Sequence, residues 1–163
     1  MSRTWEASCP GRTAMQSDFC VAVHALVCLA HTNEAWSSSK LAENIRTSSS
    51  RVRKVMASLT GAGLVTSREG VDGGYLLAKD SRSITLREVA ELLGVQCVSL
   101  SWESGGTDPN CVISRGMGPK MRSIAQELDA KCKQFLQTVT IQSIDEELES
   151  SGERDAKQPV DHQ

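Results

Sequence analysis

The feature that most restricts this chain is the stretch Leu59 to Leu77, where glycine recurs at positions 61, 63, 70, 73 and 74. A helix leading into Gly61 or Gly63 ends there, because glycine is a poor helix interior and a good terminator. Leu64, Val65, Thr66 and Ser67 then favour an extended chain, Glu69-Gly70-Val71-Asp72-Gly73-Gly74 supplies the positive φ angles of a tight hairpin, and Tyr75-Leu76-Leu77 resumes the strand. The paired glycines also allow close backbone approach to a partner. Helix, strand, glycine turn and strand, in that order, read as a helix followed by a hairpin wing.

The helix before the wing, Ser49 to Thr60, has two different faces. Val52, Val55, Met56 and Leu59 fall at i, i+3, i+4 and i+7, which places them on one buried side and leaves Arg51, Arg53, Lys54 and Ser58 outside. Thr47 to Ser49 is a polar break from which a serine can cap this helix. Upstream, Ser37 or Ser38 can cap a short helix running to Ile45; with Ser37 as the cap, Trp36 and Leu41 occupy the positions of a hydrophobic staple. Two helices joined by so short a turn, the second basic and rich in serine at its start, match a helix-turn-helix whose second helix enters the major groove.

Charge supports that reading once it is divided along the chain. The net charge of −2 is wrong for a polyanion binder taken as a sum, yet residues 36–82 hold eight Lys or Arg against four Asp or Glu. From Thr140 onward there are seven acidic residues against two basic ones. A basic middle and an acidic end suggest a polyanion-binding face with a solvated tail. At 163 residues the chain can build one core with an appended dimerisation element, and its 4% aromatic content makes that core aliphatic.

The flanking segments complete the expected architecture. Residues 1–14 show no periodicity and read as a disordered leader, after which Asp18 can cap a helix from Phe19 to Ala30. That helix is almost wholly small or apolar, so it should be covered on most sides, between the core and a partner subunit. Thr85 and Glu88 form a capping box for a helix from Leu86 to Leu93, which Gly94 closes. Residues 95–110 are a long loop of the sensor type. Met117, Met121, Ile124, Leu128, Cys132, Phe135 and Val139 then recur at spacings of three and four, an apolar stripe along a long helix suited to meeting its symmetry mate. Thr140 to Leu148 reads as a short terminal helix, and residues 149–163 as a disordered acidic tail. The fold class expected is mainly α with a small β-hairpin wing: a winged helix-turn-helix over 15–94, the loop 95–110, and a dimerisation helix with a short terminal helix over 111–148.

No apolar run is long enough to cross a bilayer and no secretory leader is recognisable, which points to the cytoplasm. The six cysteines are too widely spaced for a disulfide framework and are expected as reduced thiols. Three histidines without a nucleophile elbow, phosphate loop or paired-metal spacing argue against an enzyme.

Taken together, these elements resemble the Rrf-two (Rrf2) family of winged helix-turn-helix transcriptional regulators. The resemblance covers roughly Met15 to Leu148 and is strongest in Gly63-Leu64-Val65, Arg68, Gly70, Gly73-Gly74-Tyr75-Leu76-Leu77 and Ile84-Thr85-Leu86, with Ala22-Val23-His24-Ala25-Leu26 in support. It implies a homodimeric repressor on a partly palindromic double-stranded DNA operator. The recognition-helix role would fall to Ser49, Ser50, Arg51, Arg53 and Lys54, and the wing role to Arg68, Gly73, Gly74 and Tyr75. Ser38 and Ser39, at a helix start, are candidates for phosphate contacts.

Cluster-binding members of that family carry three closely spaced cysteines ahead of the long helix, whereas this chain has only Cys97 and Cys111 there. The resemblance is therefore nearer to the cluster-free YwnA/HypR-like branch, and no cofactor or metal is expected. Cys20, Cys97 and Cys111 are the candidate redox-sensing thiols; Cys111 fits best, since thiolate chemistry favours accessible positions at helix starts, while Cys132 on the stripe and Cys28 read as packing. The alternative is an iron-sulfur site mixing Cys20, His24, Cys97 and Cys111, with Cys20 and His24 sharing a helix face and the loop coming from a partner. A winged helix serving only protein contacts is the reading from a different class.

Overall fold

The computed structural model describes residues 14–70, 73–100, 106, 108 and 110–156. Six helices and one hairpin follow in the order α1 (Ala14–Thr32), α2 (Ser38–Ile45), α3 (Ser49–Gly61), β1 (Val65–Arg68), β2 (Gly74–Leu77), α4 (Leu86–Leu92), α5 (Val112–Thr138) and α6 (Ile141–Ala156). This is the mainly helical winged helix-turn-helix expected. The core is aliphatic, with Leu26, Leu29, Leu41, Met56, Leu59, Leu64, Ile84 and Ile141 fully buried. Helix α1 runs through its middle and packs against α2, α3, α4, β2 and α6.

Local chemistry explains most boundaries. Ser37 caps α2 by accepting the Lys40 N–H (3.2 Å), with Trp36 and Leu41 both buried as a staple requires. The turn into α3 bends through Arg46, a left-handed residue (φ 60°) that lets the Thr47 N–H reach the Ala42 carbonyl (2.9 Å). Ser48 then caps α3 by accepting the Arg51 N–H (3.3 Å). Thr85 caps α4 through the Glu88 N–H (3.2 Å), but the other half of the anticipated capping box goes elsewhere, since the Glu88 carboxylate accepts from Lys79 Nζ (2.9 Å).

The start of α1 and the end of α6 differ from the sequence expectations. Helix α1 starts at Ala14, so Asp18 is not its cap; the carboxylate reaches across to α3 instead. Over residues 19–30, α1 is covered on most sides as expected, with Cys20 and His24 exposed and the other side chains buried or half-buried. Helix α6 continues eight residues beyond Leu148, to Ala156, into the segment expected to be tail. Its inner face docks on α1, where Asp145 is buried and accepts from His31 Nδ1 (2.9 Å), and that packing is invisible to local composition. The leader to position 13 and the tail from 157 lie outside the described residues.

The long helix is pinned at its C-terminal end. Val139 and Ile141 pair with the segment before α4, through Leu86 N–H to Val139 O (2.9 Å) and Ile141 N–H to Ile84 O (3.0 Å). Otherwise α5 packs chiefly on α4. Its buried side is made by Gly118 and Ala125, and Pro119 is accommodated within it. The anticipated stripe consequently divides. Met117, Ile124, Leu128 and Phe135, which lie within about 20° of one line at 3.6 residues per turn, are exposed. Met121, Cys132 and Val139 are half-buried toward their own domain.

Candidate nucleic-acid interface

Helix α3 separates its two chemistries cleanly. Val52, Val55, Met56 and Leu59 are at most 2% exposed, while Ser50, Arg53, Lys54 and Ser58 lie on the surface and Ser49 is half-buried. Arg51 behaves differently from its neighbours. Its guanidinium lies 2.8 Å from Asp18 of α1 and also donates to Ser17 Oγ, so it fastens α3 to α1. Lys54 Nζ reaches the second Asp18 oxygen at 3.3 Å but keeps 75% of its side chain exposed. Burial pushes the Asp18 carboxyl upward, yet hydrogen bonds and charges from Arg51 and Lys54 outweigh it and hold the group below the usual carboxylate range.

The start of α2 joins this surface. Ser38 Oγ accepts from Arg53 Nη1 (3.4 Å), which brings together two residues proposed from sequence for separate roles. Ser39 beside it is exposed. Lys40, which the sequence reading passed over, holds its ammonium 4.0 Å from the centroid of the Trp36 ring and adds a fixed positive charge next to those serines. Its signal was available: a lysine three residues after a capping serine within the basic segment.

In the wing, β1 and β2 pair antiparallel with Arg68 opposite Gly74 and Ser67 opposite Tyr75. Gly70 carries the positive φ (118°). Gly73 and Gly74 serve another purpose, because a Cβ on Gly73 would lie 2.5 Å from the Arg68 carbonyl oxygen and one on Gly74 would lie 2.6 Å from the Trp36 backbone. The partner that Gly74 approaches is thus the chain's own: Trp36 and Tyr75 exchange backbone hydrogen bonds (3.1 and 2.9 Å), tying the wing's second strand to the entry of α2. Tyr75 is half-buried against the core, which makes it an anchor of the strand, while Arg68 is exposed at the end of β1. Val71 and Asp72 lie outside the described residues.

The candidate sensing thiols occupy three different places. Cys20 is exposed on α1 and shares a groove of about 590 Å³ with His24, Arg46 and Arg51. Cys111 is the N-cap of α5, its Sγ accepting the Ser114 N–H (3.4 Å). Cys97 lies against α5, its N–H donating to Asp129 Oδ1 (2.7 Å), with the Cys132 thiol alongside. Burial, together with the negative charge of Asp129 and the neighbouring Cys132, pushes the Cys97 thiol up. Cys20, His24, Cys97 and Cys111 do not converge on a common point within one chain. The residues present in a single chain therefore do not compose the mixed cluster site.

Comparison with known proteins agrees with this geometry. Residues 15–147 match the model of the Rrf2 family, described as an iron-dependent transcriptional regulator. A crystal structure from Lactobacillus plantarum is similar with a TM-score of 0.69 at 21% identity, over 86% of this chain and 98% of that one. CymR (YrzC), the global cysteine regulator of B. subtilis, gives 0.61 at 18% identity, over 85% and 98%. IscR of T. potens gives 0.60 at 19% identity, over 92% and 93%. A search of curated proteins finds no match. With its hairpin wing, basic α3 and long C-terminal helix, and a family match over most of its length, this chain belongs to the Rrf2 family of DNA-binding transcriptional regulators.

Proposed function

We propose that the chain acts as a homodimeric repressor on a partly palindromic operator, and that modification of cysteine thiols by oxidants or electrophiles changes its grip on DNA. The observation that carries the DNA part is the division of α3: a fully buried apolar face backs an exposed face bearing Arg53 and Lys54, with Ser38 and Lys40 beside it. Arg53 and Lys54 are the reading or phosphate contacts, Ser38, Ser39, Ser49 and Ser50 are short donors at helix starts, and Arg68 is the contact from the wing. Arg51 sets the orientation of α3 through Asp18. The uncovered line Met117, Ile124, Leu128 and Phe135 supports a two-fold partner, since a row of large apolar side chains on one face of a long helix is costly in water.

For the signal, the reading nearest the YwnA/HypR-like branch assigns Cys20 and Cys111. Cys20 is accessible and faces the groove that Arg51 lines, so an adduct there would press on the residue that holds α3. Cys111 sits at the N-terminus of the proposed dimer helix, where an adduct would change how α5 begins and hence the spacing of two recognition helices. Cys97 is the weaker candidate because its thiol is held protonated by burial and Asp129.

The decisive experiment combines a salt titration with oxidant. Affinity for genomic fragments should fall steeply with salt through counterion release, and treatment of the reduced protein with peroxide or diamide should shift that affinity. Cys20→Ser and Cys111→Ser together should abolish the response while leaving reduced-state binding intact. A response that persists in the double variant would remove these thiols from the mechanism, and visible charge-transfer bands in anaerobically purified protein would replace it with a cluster.

A further inference from the structure

The end of α1 that packs on α6 carries a second site. Helix α6 lies along α1, and a residue near the end of α1, His31, meets two residues one turn apart on α6, Asp145 and Glu149. His31 Nδ1 is 2.9 Å from Asp145 Oδ1 and 3.4 Å from Glu149 Oε1, and the three donor atoms all lie within 4.8 Å of one another. We infer that His31, Asp145 and Glu149 form a binding site for a divalent first-row transition-metal ion that bridges α1 and α6.

Geometry, charge and surroundings favour this. Nitrogen and oxygen ligands bind such an ion at about 2.0–2.2 Å, which places neighbouring donors of a tetrahedral or octahedral shell roughly 3–3.5 Å apart. The separations of 2.9 and 3.4 Å from Nδ1 are close to that interval. The two carboxylates together bring two negative charges, one of them on Asp145, which is only 7% exposed. The adjoining cavity, of about 320 Å³, is lined by His24, Cys28, Trp36 and Asn44 among others, and among the described residues no Lys or Arg lines it to balance them. A divalent ion would supply the missing charge. One imidazole with two carboxylates is a borderline donor set, suited to Zn2+, Co2+, Fe2+ or Mn2+ rather than to Ca2+ or Cu+. The cavity leaves room for water to complete the shell.

The site is distinct from the cysteines proposed for sensing, and it can be tested on the full chain without DNA. Protein stripped with chelator is titrated with Co2+ as the spectroscopic probe, and Zn2+ is then added in competition. The expected result is one saturable ion per chain, with ligand-field bands of oxygen and nitrogen ligation and no thiolate charge transfer. His31→Gln and Glu149→Gln should each weaken binding by roughly tenfold or more. Both side chains are more than half exposed, so these variants should keep the wild-type far-ultraviolet dichroism. Cys20→Ser with Cys111→Ser should leave Co2+ binding unchanged. The inference is overturned if binding does not saturate, if it is unaffected in His31→Gln and Glu149→Gln, or if a thiolate charge-transfer band appears; the three residues would then be only an ion pair holding α6 to α1.

Discussion

Asp18 ties α1 to α3, because its one carboxylate holds two cations of that helix. Its side chain is 13% exposed, so replacing it with Asn removes a charged hydrogen bond from a mostly buried setting and should cost about 1.5–3 kcal/mol at neutral pH. The folded-state pKa lies below the ordinary value of 3.8, so this contribution is present above that value and is lost as pH falls through the lower folded pKa. Urea unfolding of wild type and Asp18→Asn should accordingly differ at pH 7 and converge in acid below pH 3.8; an unchanged gap there would contradict the pairing. Arg53 and Lys54 are predicted to act on DNA instead. Arg53→Ala or Lys54→Ala should weaken binding and reduce the slope of log affinity against log salt by about one if the contact is to phosphate. Arg51→Ala, by contrast, should lower stability as well as affinity. The residue types of this face were readable in sequence, but Arg51, Arg53 and Lys54 could not be sorted into anchor and contacts, because the deciding partner is Asp18, thirty-three residues earlier.

Among the elements, the hairpin was the most legible and its glycines the most instructive. Their clustering announces a turn, and Gly70 does adopt the left-handed φ that an ordinary residue avoids. For Gly73 and Gly74 the requirement is space, and the backbone that crowds Gly74 is Trp36, far from the turn in sequence. Gly74→Ala should therefore destabilise the fold by about 1–3 kcal/mol in urea unfolding, through the bridge between β2 and the entry of α2. A cost near zero would mean that the wing is not seated there. Helix ends were legible where a short-range cap decides them, as at Ser37, Ser48 and Thr85, and illegible where docking decides them, as in α6.

At the scale of the whole molecule, the chain buries a core around α1 and leaves α5 attached mainly through α4. The exposed line Met117, Ile124, Leu128 and Phe135 is where the proposed two-fold contact is to be sought. Leu128→Glu should convert a dimer to monomer in sedimentation velocity while leaving the helical content unchanged, and operator affinity should drop because two half-sites are no longer engaged together. Sedimentation of Leu128→Glu as a dimer would place the contact on another face.

Periodicity, caps and glycine clustering act over a few residues, so the amino-acid sequence by itself determined the helix-turn-helix with its wing, the aliphatic face of α3 and the long apolar-striped helix. Long-range approach belongs to packing. Only the tertiary structure decided that Asp18 clasps Arg51, that Trp36 closes on Gly74, that Cys97 is half-buried beside Asp129 while Cys20 is open, and that α6 carries Asp145 and Glu149 to His31. Each of these joins groups distant along the chain, and such a junction depends on how helices dock around a shared core, which no local pattern encodes.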